Sequence, residues 1–214
     1  MKKMNHGLTT KVVVYDDLSD SKEREIYTVR KEAFVDRRGW DIPTYDGGAW
    51  ERDQYDDSSS MYIVVETEEH IQGCVRVRPS LIPNVTRGIV SELSLQEDYF
   101  LAKVGNGQVW EASRFALKTT RNSSFVRVDG VDIRTVLLFG EMLNLALQNN
   151  TSCYEVIVDG LMKKVLSRAK WDLDIVHKGR GSKNESVYYG LLGCSENQYK
   201  KMKLLIDKAF GLLV

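Results

Sequence analysis

The sequence predicts an α/β fold, a single-domain α/β/α sandwich in which helices cover both faces of a mixed sheet. β-rich runs occur both as a hairpin and as neighbours of helical segments, without the regular βαβ rhythm of a parallel sheet. The chain has no internal repeat, and no Ser/Gly-rich or Pro-rich linker divides its 214 residues. We therefore expect one domain over residues 1–214.

The first part of the chain predicts a strand, a helix and a long loop. An apolar run at residues 12–14 indicates a short strand, and apolar residues at helical spacing indicate a helix over about 21–36. Gly39 would end this helix. The loop at residues 39–57 is too long for a simple connection, so we expect it to be functional.

The middle of the chain predicts a hairpin and a further strand. Two β-rich runs, at residues 61–67 and 71–78, are separated by the short polar stretch 68–70. Residues 79–107 have weak periodicity and predict irregular structure around one short helix. Strand character returns at residues 108–117.

The last part of the chain alternates helices with strands. A polar loop at residues 118–130 precedes the longest predicted helix, at 132–149. A buried-type strand at 154–158 is followed by a helix at 161–170. Two more strands and a closing helix are predicted at residues 173–176, 187–192 and 195–210.

Composition and charge exclude several classes of protein. Hydrophobic residues make up 43% of the sequence and charged residues 28%, which is typical of a globular domain. Thirty Lys and Arg balance thirty Asp and Glu, which disfavours nucleic-acid binding by bulk positive charge. The three cysteines are far apart and form no CxxC pair, so neither a disulfide framework nor a zinc site is predicted. No apolar run is long enough to span a bilayer, so we expect a cytoplasmic protein without membrane insertion.

Common motifs for phosphates, dinucleotides and zinc peptidases are absent, but two strands carry charged residues where apolar ones are usual. In residues 71–78, alternation places Arg76 and Arg78 on one face and the apolar residues on the other. In the next strand, Glu111 and Arg114 interrupt an apolar run. Their spacing puts them on opposite faces unless a bulge redirects one of them.

A cluster of carboxylates at residues 51–57 lies in the long loop. Two interpretations of all these charges remain open at this point. They can form a solvated sheet face with an acidic surface loop, or they can be buried together as ion pairs.

Taken in order, these segments resemble the acyl-homoserine lactone synthases, the family of the quorum-sensing autoinducer synthases. The matching residues are Arg30, Phe34 and Trp40 as R-x3-F-x5-W, Glu51, Asp53 and Asp56 as E-x-D-x2-D, GCVR at residues 73–76 and WEASRF at residues 110–115. A looser match extends from residue 162 to residue 171.

The resemblance implies an acyltransferase with a fold similar to that of the GCN5-type N-acetyltransferases. Members of the family join an acyl chain, carried on acyl carrier protein or coenzyme A, to the amine of S-adenosylmethionine, close the lactone and release 5'-methylthioadenosine. S-Adenosylmethionine is then a substrate, and no cofactor or metal is expected. The alternatives are a small-molecule N-acetyltransferase and a noncatalytic S-adenosylmethionine-binding regulator. The first is only the runner-up because QxxGxG, the phosphate-binding motif of typical acetyltransferases, is absent.

The resemblance also assigns roles to residues around the amine of S-adenosylmethionine. The residues expected to bind this substrate are Arg30, Phe34, Trp40, Asp56 and Ser113. The residues expected to be catalytic are Asp53, Arg76, Glu111 and Arg114. A weak base is adequate because the amine has a pKa of about 7.7 to 8.0. Glu111 is the first choice for that base and Asp53 the second, and we expect residues 30–57 to order when substrate binds.

The acyl group and its carrier are expected to contact the region after residue 153. The acyl tunnel is expected at Val156, Val158 and Met162. Members that favour 3-oxo chains often carry Thr at the position aligned with Val156, so an unsubstituted chain is predicted. Lys164 and Arg168 share a helix face and are the expected docking residues for acidic acyl carrier protein, although a solvated helix face explains them equally well.

Overall fold

The computed structural model describes residues 7–86, 88, 108–119, 125–181 and 183–211. The short helix predicted within residues 79–107 falls largely outside the described residues. No helix in these ranges is both long and apolar enough to cross a membrane.

A seven-stranded mixed sheet forms the centre of the structure, in the order β1-β2-β3-β4-β7-β9-β8. Its strands are β1 (Thr9–Val14), β2 (Met61–Glu66), β3 (Ile71–Pro79), β4 (Gln108–Leu117), β7 (Thr151–Asp159), β8 (Asp174–Arg180) and β9 (Ser186–Gly193). Neighbouring strands are antiparallel except β4 and β7, which are parallel. A separate two-stranded ribbon consists of β5 (Arg127–Val128) and β6 (Val131–Asp132).

Helices cover both faces of this sheet, which confirms the predicted architecture. The helices are α1 (Asp20–Lys31), α2 (Ile133–Gln148), α3 (Gly160–Arg168) and α4 (Glu196–Phe210). Helix α1 packs against β3 and β4, whereas α2 packs against β1, β2, β3 and β7 and is itself covered by α4. Helix α3 packs against β7 and β9. Each helix begins at a Ser or Asp whose side chain accepts a main-chain hydrogen bond, as expected of an N-cap.

Two apolar clusters on opposite faces of the sheet follow from the alternation of side chains. Val75 and Val77 pack with the larger cluster under α2, which includes Phe139 and Trp171. A smaller cluster lies under α1 and contains Ile26, Phe34, Tyr62, Cys74 and Ala116. Tyr62 and Cys74 lie on the same face of the sheet as the charged residues of β3, so the α1 face is the one that carries these charges.

The predicted alternation of residues 71–78 is wrong at its first residue. Ile71 was expected on the face of Val75, but it packs in the α1 cluster with Cys74. The β2–β3 register shifts between the pairs Glu66–Ile71 and Val65–Gly73, so β3 has one extra residue there. Such a bulge reverses the face of every residue before it.

The strands β4 and β7 form a fork. They are paired from Gln108 and Thr151 to Glu111 and Glu155, and no ladder pair follows although both strands continue. Beyond this point β4 pairs only with β3 and β7 only with β9. The separation opens the sheet towards Arg114 and Asp159, and this opening positions the candidate site.

Candidate active site

A β-bulge turns Arg114 towards the carboxylate cluster. The β3–β4 register passes from Cys74–Ala116 to Arg76–Ser113, so β4 contains one extra residue. Arg114 adopts φ +56°, in the left-handed region that is uncommon for residues other than glycine. The bulge answers the question left open by the sequence, because it brings Arg114 to the face of the sheet that carries Arg76.

Three arginines and three carboxylates form one buried charge network, which consists of Arg30, Glu51, Asp53, Asp56, Arg76 and Arg114. Arg30 donates to Glu51 Oε2 at 2.6 Å and to Asp56 Oδ1 at 2.7 Å. Arg76 Nη1 donates to Asp53 Oδ1 at 2.6 Å and to Asp56 Oδ1 at 2.7 Å. One carboxylate oxygen of Asp56 therefore joins two arginines.

Arg114 completes the charge network from β4. Its Nη2 lies 2.6 Å from Asp53 Oδ2, and its Nε lies 3.2 Å from Glu51 Oε1. Arg114 has a side-chain exposure of 17%, whereas the other five side chains have 2% or less. The network thus has balanced charge and reaches solvent mainly through Arg114.

The electrostatics of the charge network favour its ionised form. Burial by itself would raise the pKa of Asp56, but the charges of Arg30 and Arg76 outweigh it and hold that pKa well below its usual value. Tyr62 also donates to Asp56. Burial opposes ionisation of Asp53 as well, yet the hydrogen bond from Arg76 and the charge of Arg114 lower its pKa. A carboxylate held this way is a poor proton acceptor, so Asp53 is a weak candidate for the base.

Glu111 is fully buried and joins the charge network through a serine. Its Oε1 accepts from the Thr86 main-chain N–H at 2.7 Å, and its Oε2 accepts from Ser113 Oγ at 2.9 Å. Ser113 Oγ in turn accepts from Arg76 Nε at 3.3 Å. A hydroxyl has one donor and two acceptor positions, so Ser113 keeps one acceptor position beyond these two contacts.

An aromatic pair closes one side of the site. Helix α1 continues as a π-helical turn (Glu32–Arg37), a feature that is frequent at functional sites. Gly39, at φ +58°, ends this turn as predicted, and the Trp40 main-chain N–H then donates to Phe34 O at 2.9 Å. The Trp40 ring stacks on Phe34 with 5.5 Å between centroids and 10° between planes.

A cavity of about 370 Å³ fills the fork. Its walls include side chains from β4, β7, helices α2 and α3, and the segment after the π-helical turn. Among the predicted site residues, those that line it are Phe34, Trp40, Ser113, Arg114, Val156, Val158 and Met162. Phe139, Met142 and Leu166 add apolar surface from the α2 face. The cavity therefore joins a charged and aromatic end to an apolar end.

The other predicted site residues lie outside the cavity wall. Arg30, Asp53, Asp56, Arg76 and Glu111 are buried behind it, and they reach it through Ser113 and Arg114. Lys164 and Arg168 are exposed on α3 and do not line it. In the described ranges no cluster of three His, Cys, Asp or Glu side chains could hold a metal ion.

The structure decides between the two interpretations of the acidic loop. The acidic surface loop is wrong for Glu51, Asp53 and Asp56, whose side chains are buried in ion pairs. The ordering of residues 30–57 on substrate binding stays a prediction. Buried ion pairs anchor both ends of that segment, and only the stretch between Arg37 and Glu51 lies mainly at the surface.

Three residues at the site were missed by sequence reasoning. Tyr62 could have been found, because it pairs with Arg76 across β2 and β3 and so shares its face. The main-chain amide of Thr86 comes from a segment without periodicity and has no side-chain signal. Arg38, on the cavity wall, resembles any other surface arginine in a loop.

Comparisons with known proteins agree with this arrangement. The sequence matches the family model described as autoinducer synthase over residues 15–202. This chain belongs to the autoinducer synthase family. The resemblance seen in the sequence is therefore confirmed.

Relatives of this autoinducer synthase cover most of its length. The acyl-homoserine-lactone synthase of Pectobacterium parmentieri is 28% identical over 176 residues, which are 82% of this chain and 77% of the relative. The structure of the AHL synthase LasI has a TM-score of 0.72 at 20% identity and covers 91% of this chain and 94% of LasI. The structure of the CoA-dependent synthase BjaI, solved with SAM and isopentyl-CoA, has a TM-score of 0.71 at 15% identity. It covers 95% of this chain and 90% of BjaI. These two structures share the fold.

The pKa shifts in the charge network predict how this autoinducer synthase loses stability in acid. Asp in the unfolded chain has a pKa of about 3.9, and the folded pKa of Asp56 lies below that. The stabilisation is therefore complete above about pH 4 and is lost as the pH falls further. Asp56→Asn should make the free energy of unfolding decline less steeply between about pH 4 and pH 2, as measured by denaturant titration. If the free energy of unfolding of Asp56→Asn declined as steeply as that of the wild type, the lowered pKa of Asp56 would be contradicted.

Proposed function

We propose that this protein is an acyl-homoserine-lactone synthase of quorum sensing. It transfers an acyl chain from a thioester donor to the amine of S-adenosylmethionine, then closes the lactone with release of 5'-methylthioadenosine. The observation that carries this proposal is the forked cavity, which joins an apolar end to a charged and aromatic end in a member of the autoinducer synthase family. A thioester acyl chain suits the apolar end, and a cationic amino acid suits the other.

The charged and aromatic end supplies the contacts that S-adenosylmethionine requires. Its sulfonium is attracted to aromatic rings, and Phe34 and Trp40 line the cavity at this end. Its carboxylate requires a cation, and Arg114 is the network arginine that lines the cavity.

The first chemical step needs a neutral amine next to the thioester carbon. Ser113 Oγ donates to Glu111, and its remaining acceptor position can take a hydrogen bond from the amine. Glu111 then receives the amine proton through Ser113 or through water, the amine nitrogen bonds to the acyl carbon, and the thiol leaves. Beyond Glu111, main-chain amides of β4 that point away from β3 have no ladder partner in β7, so they can stabilise the developing oxyanion.

The second step needs positioning more than further chemistry. The substrate's own carboxylate attacks the carbon next to the sulfonium, and methylthioadenosine leaves as the lactone closes. Holding the two groups together can supply an effective concentration of about 10⁵ M or more. The charge network is suited to this task because it is buried and rigidly paired.

Product analysis tests the function and the role of Glu111 together. Purified protein with S-adenosylmethionine and an acyl donor should release methylthioadenosine and acyl-homoserine lactone in equal amounts, as measured by mass spectrometry. Glu111→Gln keeps the shape and should lower turnover at least about a hundredfold. The control is Glu66→Gln, a buried carboxylate paired with Lys11 and Lys22 at the end of β2, which should keep turnover. Acylation without release of methylthioadenosine would contradict the proposed function. Near-native turnover by Glu111→Gln would contradict the role of Glu111.

The acyl tunnel gives a second prediction. Val156 lines the cavity and offers no hydrogen-bond donor, so the ketone of a 3-oxoacyl chain would lose a partner there at a cost of about 1 to 3 kcal/mol. The wild type should prefer an unsubstituted chain, and Val156→Thr should shift competition towards the 3-oxo donor. Val158→Thr is the matched control, two residues along the same wall. A wild type that prefers the 3-oxo donor, or a shift caused only by Val158→Thr, would disprove the role of Val156.

The carrier surface is proposed on α3. Lys164 and Arg168 are exposed, and Lys164 borders a surface depression with Lys163 and Tyr188. Acyl carrier protein is acidic, so Lys164→Glu with Arg168→Glu should raise its KM and leave the KM for acyl-CoA unchanged. Reversal of the exposed Lys200 and Lys201 on α4 is the control. Equal effects on the two donors would count against a carrier-specific surface.

A further inference from the structure

The segment that follows the π-helical turn crosses the mouth of the fork. We call residues 38–42 the lid segment, because Arg38, Trp40, Asp41 and Ile42 all line the cavity. On the β4 side, Trp40 is held by its stack on Phe34. On the β7 side, the lid segment is attached by an ion pair.

Arg38 provides that attachment. Its guanidinium forms an ion pair with Asp159 at the last residue of β7, and it also lies over the Trp40 ring, 4.8 Å from the centroid. The two charged side chains have exposures of 24% and 13%. One side chain therefore joins the lid aromatic to the opposite arm of the fork.

Asp159 is a fixed anchor for Arg38. Its Oδ1 accepts from the Met162 main-chain N–H at 2.7 Å and caps helix α3, while Oδ2 receives Arg38. A second attachment comes from the β8–β9 turn, where Lys183 Nζ donates to Arg38 O at 3.0 Å. A Cβ at position 39 would lie 3.0 Å from that Nζ, so Gly39 permits the close approach.

We propose that Arg38 is a positioning residue, and that its ion pair with Asp159 holds Trp40 closed over the sulfonium of the substrate. This inference rests on the proposed function for the identity of the substrate. Arg38 acts through Trp40 and does no chemistry. Loss of the ion pair opens the lid segment, lowers the fraction of protein that is competent to bind S-adenosylmethionine, and raises the apparent KM by the same factor.

A direct electrostatic role for Arg38 makes the opposite prediction for one variant. S-Adenosylmethionine carries a cationic sulfonium, so removing a nearby cation would tighten its binding and removing a nearby anion would weaken it. The ion pair predicts instead that Arg38→Met and Asp159→Asn change the KM in the same direction and by the same factor. The Asn variant retains the α3 cap, because Asn and Asp are equally good N-caps.

The test compares five variants with the wild type. Arg38→Met and Asp159→Asn should each raise the KM for S-adenosylmethionine about fivefold with little change in kcat, as expected if about four fifths of the protein opens. The double variant should match either single variant, and Arg38→Lys should recover part of the effect. Lys31→Met removes another cation near this helix end, one that pairs with Asp36 at the surface, and should leave the KM unchanged.

Hydrogen exchange without substrate separates this inference from the proposed function. Amides of the lid segment should exchange faster in Arg38→Met and in Asp159→Asn, while the sheet keeps its wild-type rates. An inactive wild type would overturn the proposed function, and the exchange result would still decide the inference. Three results would each overturn the inference about Arg38. They are opposite changes in KM for the two single variants, a KM increase in the double variant equal to the product of the single increases, and unchanged exchange in the lid segment.

Discussion

Five charged side chains with almost no access to water, and a sixth at the cavity wall, must neutralise one another for this chain to fold. A buried charge without a partner costs several kcal/mol, so Arg30, Arg76 and Arg114 can be buried only where carboxylates meet them. This constraint brings the loop at residues 51–57 onto the sheet. It also connects α1, β3 and β4, which are distant in sequence. The charge network is therefore a structural requirement before it is part of an active site.

The fork depends on the same constraint. Arg114 reaches Asp53 only because β4 contains a bulge with a left-handed residue, and the bulge lies where β4 leaves β7. An arginine in this backbone conformation carries a strain that the ion pairs offset. Ser113, beside the bulge, then links Glu111 to Arg76 at the cavity wall. The chemistry proposed for Glu111 thus relies on groups that the charge network holds in place.

Most of the fold could be predicted from the sequence because its signals are local. Apolar spacing located the helix at Ile133–Gln148, and β-rich runs located the hairpin of β2 and β3. The two bulges could not be predicted, since each depends on the register with a neighbouring strand. The face of Ile71 was consequently wrong, whereas the face of Arg114 was left open. The site residues were found through resemblance, because burial of an acidic loop has no local signature. Arg38 and Asp159 are 121 residues apart, and neither carries a pattern that predicts the other.

The central claim is that the charge network acts as one unit, and a double-mutant cycle on unfolding tests it most directly. Arg30→Met alone should cost about 3 to 5 kcal/mol, because it leaves buried carboxylates without their partner. In the background of Asp56→Asn, the same change should cost at least about 1 kcal/mol less, as measured by denaturant titration at neutral pH. Costs that add within about 0.5 kcal/mol would show independent ion pairs and contradict the account.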